Sequence, residues 1–283
     1  MVEKYDPCKG RVGLSRPGTP LFGSIFTDSH HQPLPCVLLL PAPAVLRLLV
    51  GKFLNPEVYL CSCREISRKL GLWGLVNNAG ISVPTAPNEW LTKQDFVKIL
   101  NVNLLGVIEV TLSLLPLVRK AKGRVVNVSS IFGRVAFIGG GYCISKYGVE
   151  AFSDSLRREL SHFGVKVAII EPGFFKTFVT STPVISRNFQ EAWEKASPEV
   201  KEAYGERFLA HSLKVIGLLD KMCSQDLSLV TNCMEHALTA CHPRTRYSSG
   251  WDAKLIYLPM SYMPTFLVDA LVNLSSSRPA KAM

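Results

Sequence analysis

The chain has 283 residues, 47% hydrophobic and 19% charged, enough apolar content for a buried core and too much for a disordered, collagen-like or coiled-coil chain. The net charge of +10 divides into +4 over residues 1–70 (9 basic, 5 acidic) and +6 over residues 71–283 (23 basic, 17 acidic). No stretch collects the run of like charges that marks a nucleic-acid arm, so nucleic acid is not an expected partner and a mildly basic surface is.

Residues 1–70 hold 8 of the 18 prolines and read as a segment distinct from the rest. Within it, Leu34–Val50 is apolar but interrupted by prolines and Arg47, which makes it a marginal membrane span. His30-His31 sits in the same Pro-rich region. The eight cysteines show no C-x-x-C pair, Cys61-x-Cys63 is too tight for a zinc half-site, and the histidines are scattered, so no metal site is expected.

From Gly71 the pattern becomes regular. Leu72–Asn77 is a short apolar run ending in Asn-Asn-Ala-Gly, which predicts a buried strand meeting a turn. Thr92 opens a helix whose apolar residues, from Phe96 and Leu100 to Leu112 and Leu115, recur at helical spacing. Arg124–Ser129 predicts a β-branched strand. Gly139-Gly140-Gly141 leads into a helix from Tyr142 to about His162. Val165–Glu171 is another apolar strand, closed by Pro172-Gly173. Leu255–Val272 reads as a strand followed by a helix that contacts a membrane surface.

Alternating apolar strands and amphipathic helices predict an α/β fold, a doubly wound parallel sheet covered on both faces. Ligands of such sheets bind beyond the carboxyl ends of the strands. The ends to watch are Asn77–Gly80, Ser129–Ser130 and Pro172–Thr177. Tyr142 and Lys146 lie four apart near a helix start, so their side chains share a face. A tyrosine with an ordinary pKa of about 10 is a poor base at neutral pH, and a neighbouring ammonium favours its phenolate. Such a pair can move an alcohol proton. Ser130 lies twelve residues earlier, at the end of a predicted strand.

The set N-N-A-G (77–80), N-V-N-L-L-G (101–106), V-N-V-S-S (126–130), Y-C-I-S-K (142–146) and E-P-G-F-F-K-T (171–177) resembles the short-chain dehydrogenase/reductase family in order and spacing. The longer stretches 71–80, 151–160 and 242–255 are similar to its retinol and hydroxysteroid dehydrogenase branch. The resemblance covers about residues 71–283. It implies that Tyr142 is the general acid/base, that Lys146 lowers the Tyr142 pKa and holds the nicotinamide ribose, and that Ser130 polarises the substrate oxygen, with Ser129 the lesser choice. It implies a water held by Asn103 as a proton relay; a mid-helix Asn bonding nearby backbone is the structural alternative. It further implies that Asn77, Asn78, Ala79 and Gly80 line the adenosine side of the cofactor and brace the central sheet, that Pro172 and Gly173 turn beneath the nicotinamide, and that Thr177 bonds its carboxamide. The resemblance implies NAD as the cofactor, with NADP the alternative, and no metal. It implies that residues 174–250 form the lid over a lipophilic alcohol or ketone, with Phe174, Phe175, Phe178, Val179 and Phe189 as candidate walls. The branch places the chain at the endoplasmic reticulum membrane, with a second copy as a candidate partner.

The glycine-rich turn T-G-x-x-x-G-x-G, which brings a helix N-terminus to the cofactor pyrophosphate, does not occur ahead of N-N-A-G. Gly13, Gly18 and Gly23 recur at intervals of five, and Pro17 and Pro20 would break the helix that the motif opens. The Rossmann-like sheet is therefore expected to lack a regular first strand–turn–helix. Two readings follow: an NAD(P)-dependent oxidoreductase acting on retinol or a hydroxysteroid, or an inactive, cofactor-deficient chain acting as a binding or regulatory protein.

Overall fold

The computed structural model describes residues 37–41, 71–137, 139–275 and 278–282; the readings of His30-His31, of the glycines at 13, 18 and 23, and of most of Leu34–Val50 fall outside them. Five strands form one sheet in the order β1 (Val37–Pro41), β2 (Leu72–Asn77), β3 (Arg124–Val128), β4 (Lys166–Pro172) and β5 (Arg246–Ser249). β2 to β5 are parallel, in register through Asn77↔Asn127, Val128↔Ile170 and Pro172↔Ser249. β1 pairs with β2 antiparallel, Val37↔Asn77 at one end and Pro41↔Leu72 at the other.

The parallel strands are apolar because both faces are covered. On one face Leu75, Val125 and Val167 pack with Leu114 and Val118 of α2 (Gly106–Lys120) and with Leu156 and Leu160 of α3 (Gly141–Ser161). Their neighbours Val76, Val126 and Ala168 point the other way, onto Met234, Ala237 and Leu238 of α6 (Ser228–Thr239). This alternation between two helical layers gives the doubly wound, Rossmann-like fold.

The helix predicted from Thr92 runs without a break over Lys93–Lys120. It comprises α1 (Lys93–Leu100), a π turn at Asn101–Leu105, and α2. Thr92 and Asp95 form a capping box that fixes its start. By length and composition it could cross a membrane, yet Val107, Thr111, Leu114 and Val118 are buried in the fold.

A separate cluster gathers Trp90 with Phe189 and Trp193 of α4 (Thr182–Lys195) and Tyr204 and Phe208 of α5 (Pro198–Met222). The predicted strand at the start of Leu255–Val272 is not formed. Ala253–Tyr257 winds as a π turn, Leu258–Met260 as a short helical turn, and α7 spans Thr265–Ser275. Pro259 stands in the first turn of that short helix, where its fixed φ is accommodated and its missing N–H costs no ladder bond.

Candidate active site

The carboxyl ends of the parallel strands bring Asn77–Gly80, Ser129–Ser130, Pro172–Gly173 and Ser249–Gly250 to one edge of the sheet. Tyr142 and Lys146 enter the same edge from the first turns of α3. Ser130 caps a short 3-10 turn, its Oγ accepting from the Phe132 N–H at 3.2 Å, and its hydroxyl stands near enough to Tyr142 to draw the phenol's pKa down. Ser129 faces elsewhere and donates to the Lys146 carbonyl at 3.3 Å. Of the two serines, only Ser130 meets the tyrosine.

Lys146 is buried, and its Nζ donates to the Val128 carbonyl at 2.9 Å, 5.7 Å from the centre of the Tyr142 ring. Burial pulls the ammonium down to about 8, against the charge of Glu150, which favours it. Although the ring keeps part of its surface open, desolvation pushes the phenol up to about 12, and the Ser130 hydrogen bond offsets only part of that rise.

A buried ammonium with three N–H groups and one carbonyl partner has donors left for a ligand. A Cβ on Gly80 would stand 3.6 Å from both Lys146 Nζ and Asn103 Oδ1, so the 77–80 turn lies against the same pocket. These residues fit a ribose diol and the nicotinamide beside it.

Asn103 is fully buried in the π turn. Its amide is engaged by protein: Oδ1 accepts from the Ile81 N–H at 2.8 Å, and Nδ2 donates to the Ile81 carbonyl at 2.9 Å and to Ser145 Oγ at 3.1 Å. It clamps the turn after β2, which is the backbone-bonding alternative read from the sequence. Asn77 is likewise committed, donating to Thr111 Oγ1 at 2.9 Å and to Asn127 Oδ1 at 2.8 Å. Its side chain braces the sheet, as the resemblance also implied. Asn127 passes the bond on to Ser153 Oγ at 2.8 Å and is buried, which removes it as a glycosylation acceptor.

The three glycines before Tyr142 pack on protein. A Cβ at Gly139 would meet the Ala86 carbonyl at 2.2 Å, and the Gly140 N–H is donated to Asn88 Oδ1 at 2.8 Å. Pro172-Gly173 is held from behind by Asp252, which sequence reasoning missed. Asp252 Oδ2 accepts from the Phe174 N–H at 2.7 Å, and its carboxylate leaves no room for a Cβ at Gly173. Thr177 precedes a 3-10 turn, its N–H donated to Thr180 Oγ1 at 3.0 Å.

Around Tyr142 stands an aromatic wall. Phe132 lies 6.2 Å from the Tyr142 ring, 5.6 Å from Phe174 and 6.5 Å from Tyr257, and Phe137 lies 5.7 Å from Tyr257. Of the candidate walls read after Pro172-Gly173, only Phe174 joins this group; Phe175 is buried, Phe178 is exposed, and Phe189 packs on Trp90. Phe132 and Tyr257 gave no periodic signal, since they sit on irregular backbone.

The profile of the family described as short chain dehydrogenase matches residues 63–185. Retinol dehydrogenase 16 from Homo sapiens is 74% identical over 220 residues, which cover 78% of this chain and 69% of that protein. The chain belongs to the short-chain dehydrogenase family. The family is one of oxidoreductases. This short-chain dehydrogenase is also 56% identical over 215 residues to human 17-beta-hydroxysteroid dehydrogenase type 6, covering 75% of this chain and 67% of the relative. Two solved members share its fold. One, from Streptomyces avermitilis, has a TM-score of 0.55 at 23% identity, over 77% of this chain and 73% of that one. The other, from Burkholderia cenocepacia in complex with NADP, has a TM-score of 0.51 at 20% identity, over 77% and 74%. These relatives carry dehydrogenase names, and the reading as an inactive binding or regulatory protein gains no support from them.

Proposed function

We propose that the chain oxidises a lipophilic secondary or primary alcohol, a retinol or a hydroxysteroid, and reduces the corresponding carbonyl, with NAD as the hydride partner. The observation that carries this is the meeting of Ser130, Tyr142 and Lys146 at the carboxyl edge of the sheet beneath an aromatic wall. The retinol and hydroxysteroid dehydrogenase names of the similar proteins support the substrate class.

A bound nicotinamide would supply the hydride acceptor, and Lys146 would hold its ribose. In this reading Ser130 and Tyr142 hold the substrate oxygen between their hydroxyls. Tyr142 removes the hydroxyl proton as the carbonyl forms, and returns it in the reverse direction. With its hydroxyl pushed up to about 12, Tyr142 rests as the phenol, so proton removal depends on nearby positive charge, to which the Lys146 ammonium contributes. Phe132, Phe174 and Tyr257 exclude water and accept a flat apolar ligand.

We also read the protein as working at a membrane surface, that of the endoplasmic reticulum. Trp251, Leu255, Tyr262 and Phe266 are each at least 60% exposed on the C-terminal segment, an arrangement that suits the headgroup region of a bilayer. Residues 1–70 are read as a Pro-rich segment ahead of the catalytic region, with β1 joining its sheet.

The test is turnover of the full chain in detergent with NAD and retinol or a hydroxysteroid, followed by carbonyl product. Product formation that persists in Tyr142→Phe would remove Tyr142 from the reaction.

A further inference from the structure

Resting on the proposed use of a nicotinamide cofactor, we infer that this chain grips the nicotinamide end of the cofactor, its described residues making no specific grip on the pyrophosphate. In a parallel nucleotide-binding sheet the first strand runs out at the carboxyl edge. It hands the chain to a glycine-rich turn and a helix, whose N-terminal N–H groups meet the pyrophosphate. Here the strand beside β2 runs the other way. Val37 stands opposite Asn77, at the edge that holds Ser130 and Pro172, and Pro41 stands opposite Leu72 at the far edge. The chain therefore enters β1 where a phosphate-binding turn would have to leave it.

The sequence offers no substitute. Between β1 and Gly71 the only glycine is Gly51, and the earlier glycines, 10, 13, 18 and 23, precede the strand in a spacing unlike G-x-x-x-G-x-G. The glycine-rich loop that does open a helix at this edge, Gly139-Gly140-Gly141, is closed on protein. Its backbone abuts the Ala86 and Pro84 carbonyls, the Asn88 amide and Ile99. The nicotinamide half differs in kind: Lys146 keeps spare donors beside Tyr142 and Gly80.

If the pyrophosphate makes no retained charge-assisted bond, a ligand without the adenylate half binds as well as the whole cofactor. Even one such bond separates the two ligands by roughly tenfold or more. The experiment titrates the full chain in detergent with NADH and with reduced nicotinamide mononucleotide, following the fluorescence of the reduced ring, with ADP-ribose as competitor. The expected result is two dissociation constants within tenfold of each other, no displacement by ADP-ribose, and equal weakening of both ligands in Lys146→Met with the fold retained by circular dichroism. Binding of NADH more than tenfold tighter, or displacement by ADP-ribose, overturns the inference and leaves the proposed oxidoreductase intact. Binding of both that is indifferent to Lys146→Met overturns it by putting the ligands elsewhere. Binding of neither overturns the proposed function itself, and the inference with it.

Discussion

Glu150 follows Lys146 by one helical turn on α3 and shares its burial, and its Oε2 accepts from Arg246 at 3.0 Å. Arg246 also pairs with Asp154 at 3.0 Å and with Glu171 at 3.3 Å, and Glu171 accepts from Arg134 at 3.1 Å. The catalytic helix is thus tied by charge to β4 and β5. Burial and the neighbouring Glu171 push the Glu150 carboxyl up to about 7, although Ser129 and Arg246 pull it down.

The Glu150→Gln variant should separate from the wild type above pH 7. There Glu150 is ionised and holds the Lys146 ammonium up, so its loss moves the alkaline limb of the rate to lower pH; below pH 7 the two profiles converge. Stability carries the opposite sign. A carboxyl whose folded pKa is raised favours the fold at low pH and loses that advantage as pH rises toward 7, so the wild type should lose stability relative to Gln across that range. Rate profiles and urea melts at pH 5 and 8 read both.

Tyr142→Phe should lower turnover by about 10³-fold, and Ser130→Ala by about 10²-fold, with nicotinamide binding kept in both. Single-turnover kinetics separate the chemical step from binding. Loss of nicotinamide binding in Tyr142→Phe would show that the ring holds the ligand and does not merely exchange a proton.

Asn127→Ala should destabilise the fold by about 2–3 kcal/mol, because it strips Asn77 Nδ2 of one acceptor and breaks the bond to Ser153 in a fully buried chain of amides. Denaturant unfolding checks it, with an unchanged m-value required for a purely native-state effect.

Gly173→Ala should be strongly destabilising in the wild type and much less so beside Asp252→Ala, since the Cβ collides with the Asp252 carboxylate. A double-mutant cycle should give a coupling of about 1–3 kcal/mol. Additive effects would place the strain elsewhere.

Tyr257→Ala opens the wall formed with Phe137 and Phe174. The KM for a retinoid or steroid should rise about tenfold, with kcat little changed and small alcohols unaffected.

The strands from β2 to β4, the helix start at Thr92 and the span of α3 were legible because each carries a full period of apolar residues between clear breaks. That Ser130, Tyr142 and Lys146 come to one edge was legible because strand ends and helix starts place their residues by rule. Phe132, Tyr257 and Asp252 were not, since they reach the site from a 3-10 turn, a π turn and the turn after β5, where no periodicity announces direction. The bracing role of Asn77 and the backbone-bonding alternative for Asn103 were legible because a buried amide must satisfy its hydrogen bonds, and here sheet and loop do so. The strand at the head of Leu255–Val272 failed because an apolar run alone does not say whether a neighbour stands ready to pair with it.

The π turn at Asn101–Leu105 explains how one helix serves two tasks. Ile99, Asn103, Val107 and Thr111 are all buried at intervals of four, a spacing that would drift steadily around a regular helix. The wider turn, closed by the Gly106 N–H on the Asn101 carbonyl, takes up that drift. Deleting one residue from 101–105 would leave a good helix whose two halves are out of step: either Asn103 swings off Ile81, or the Val107–Val118 stripe turns out of the core. The extra residue acts as a phase adjustment, so the length of this helix is fixed by the sheet on one side and by the reaction edge on the other.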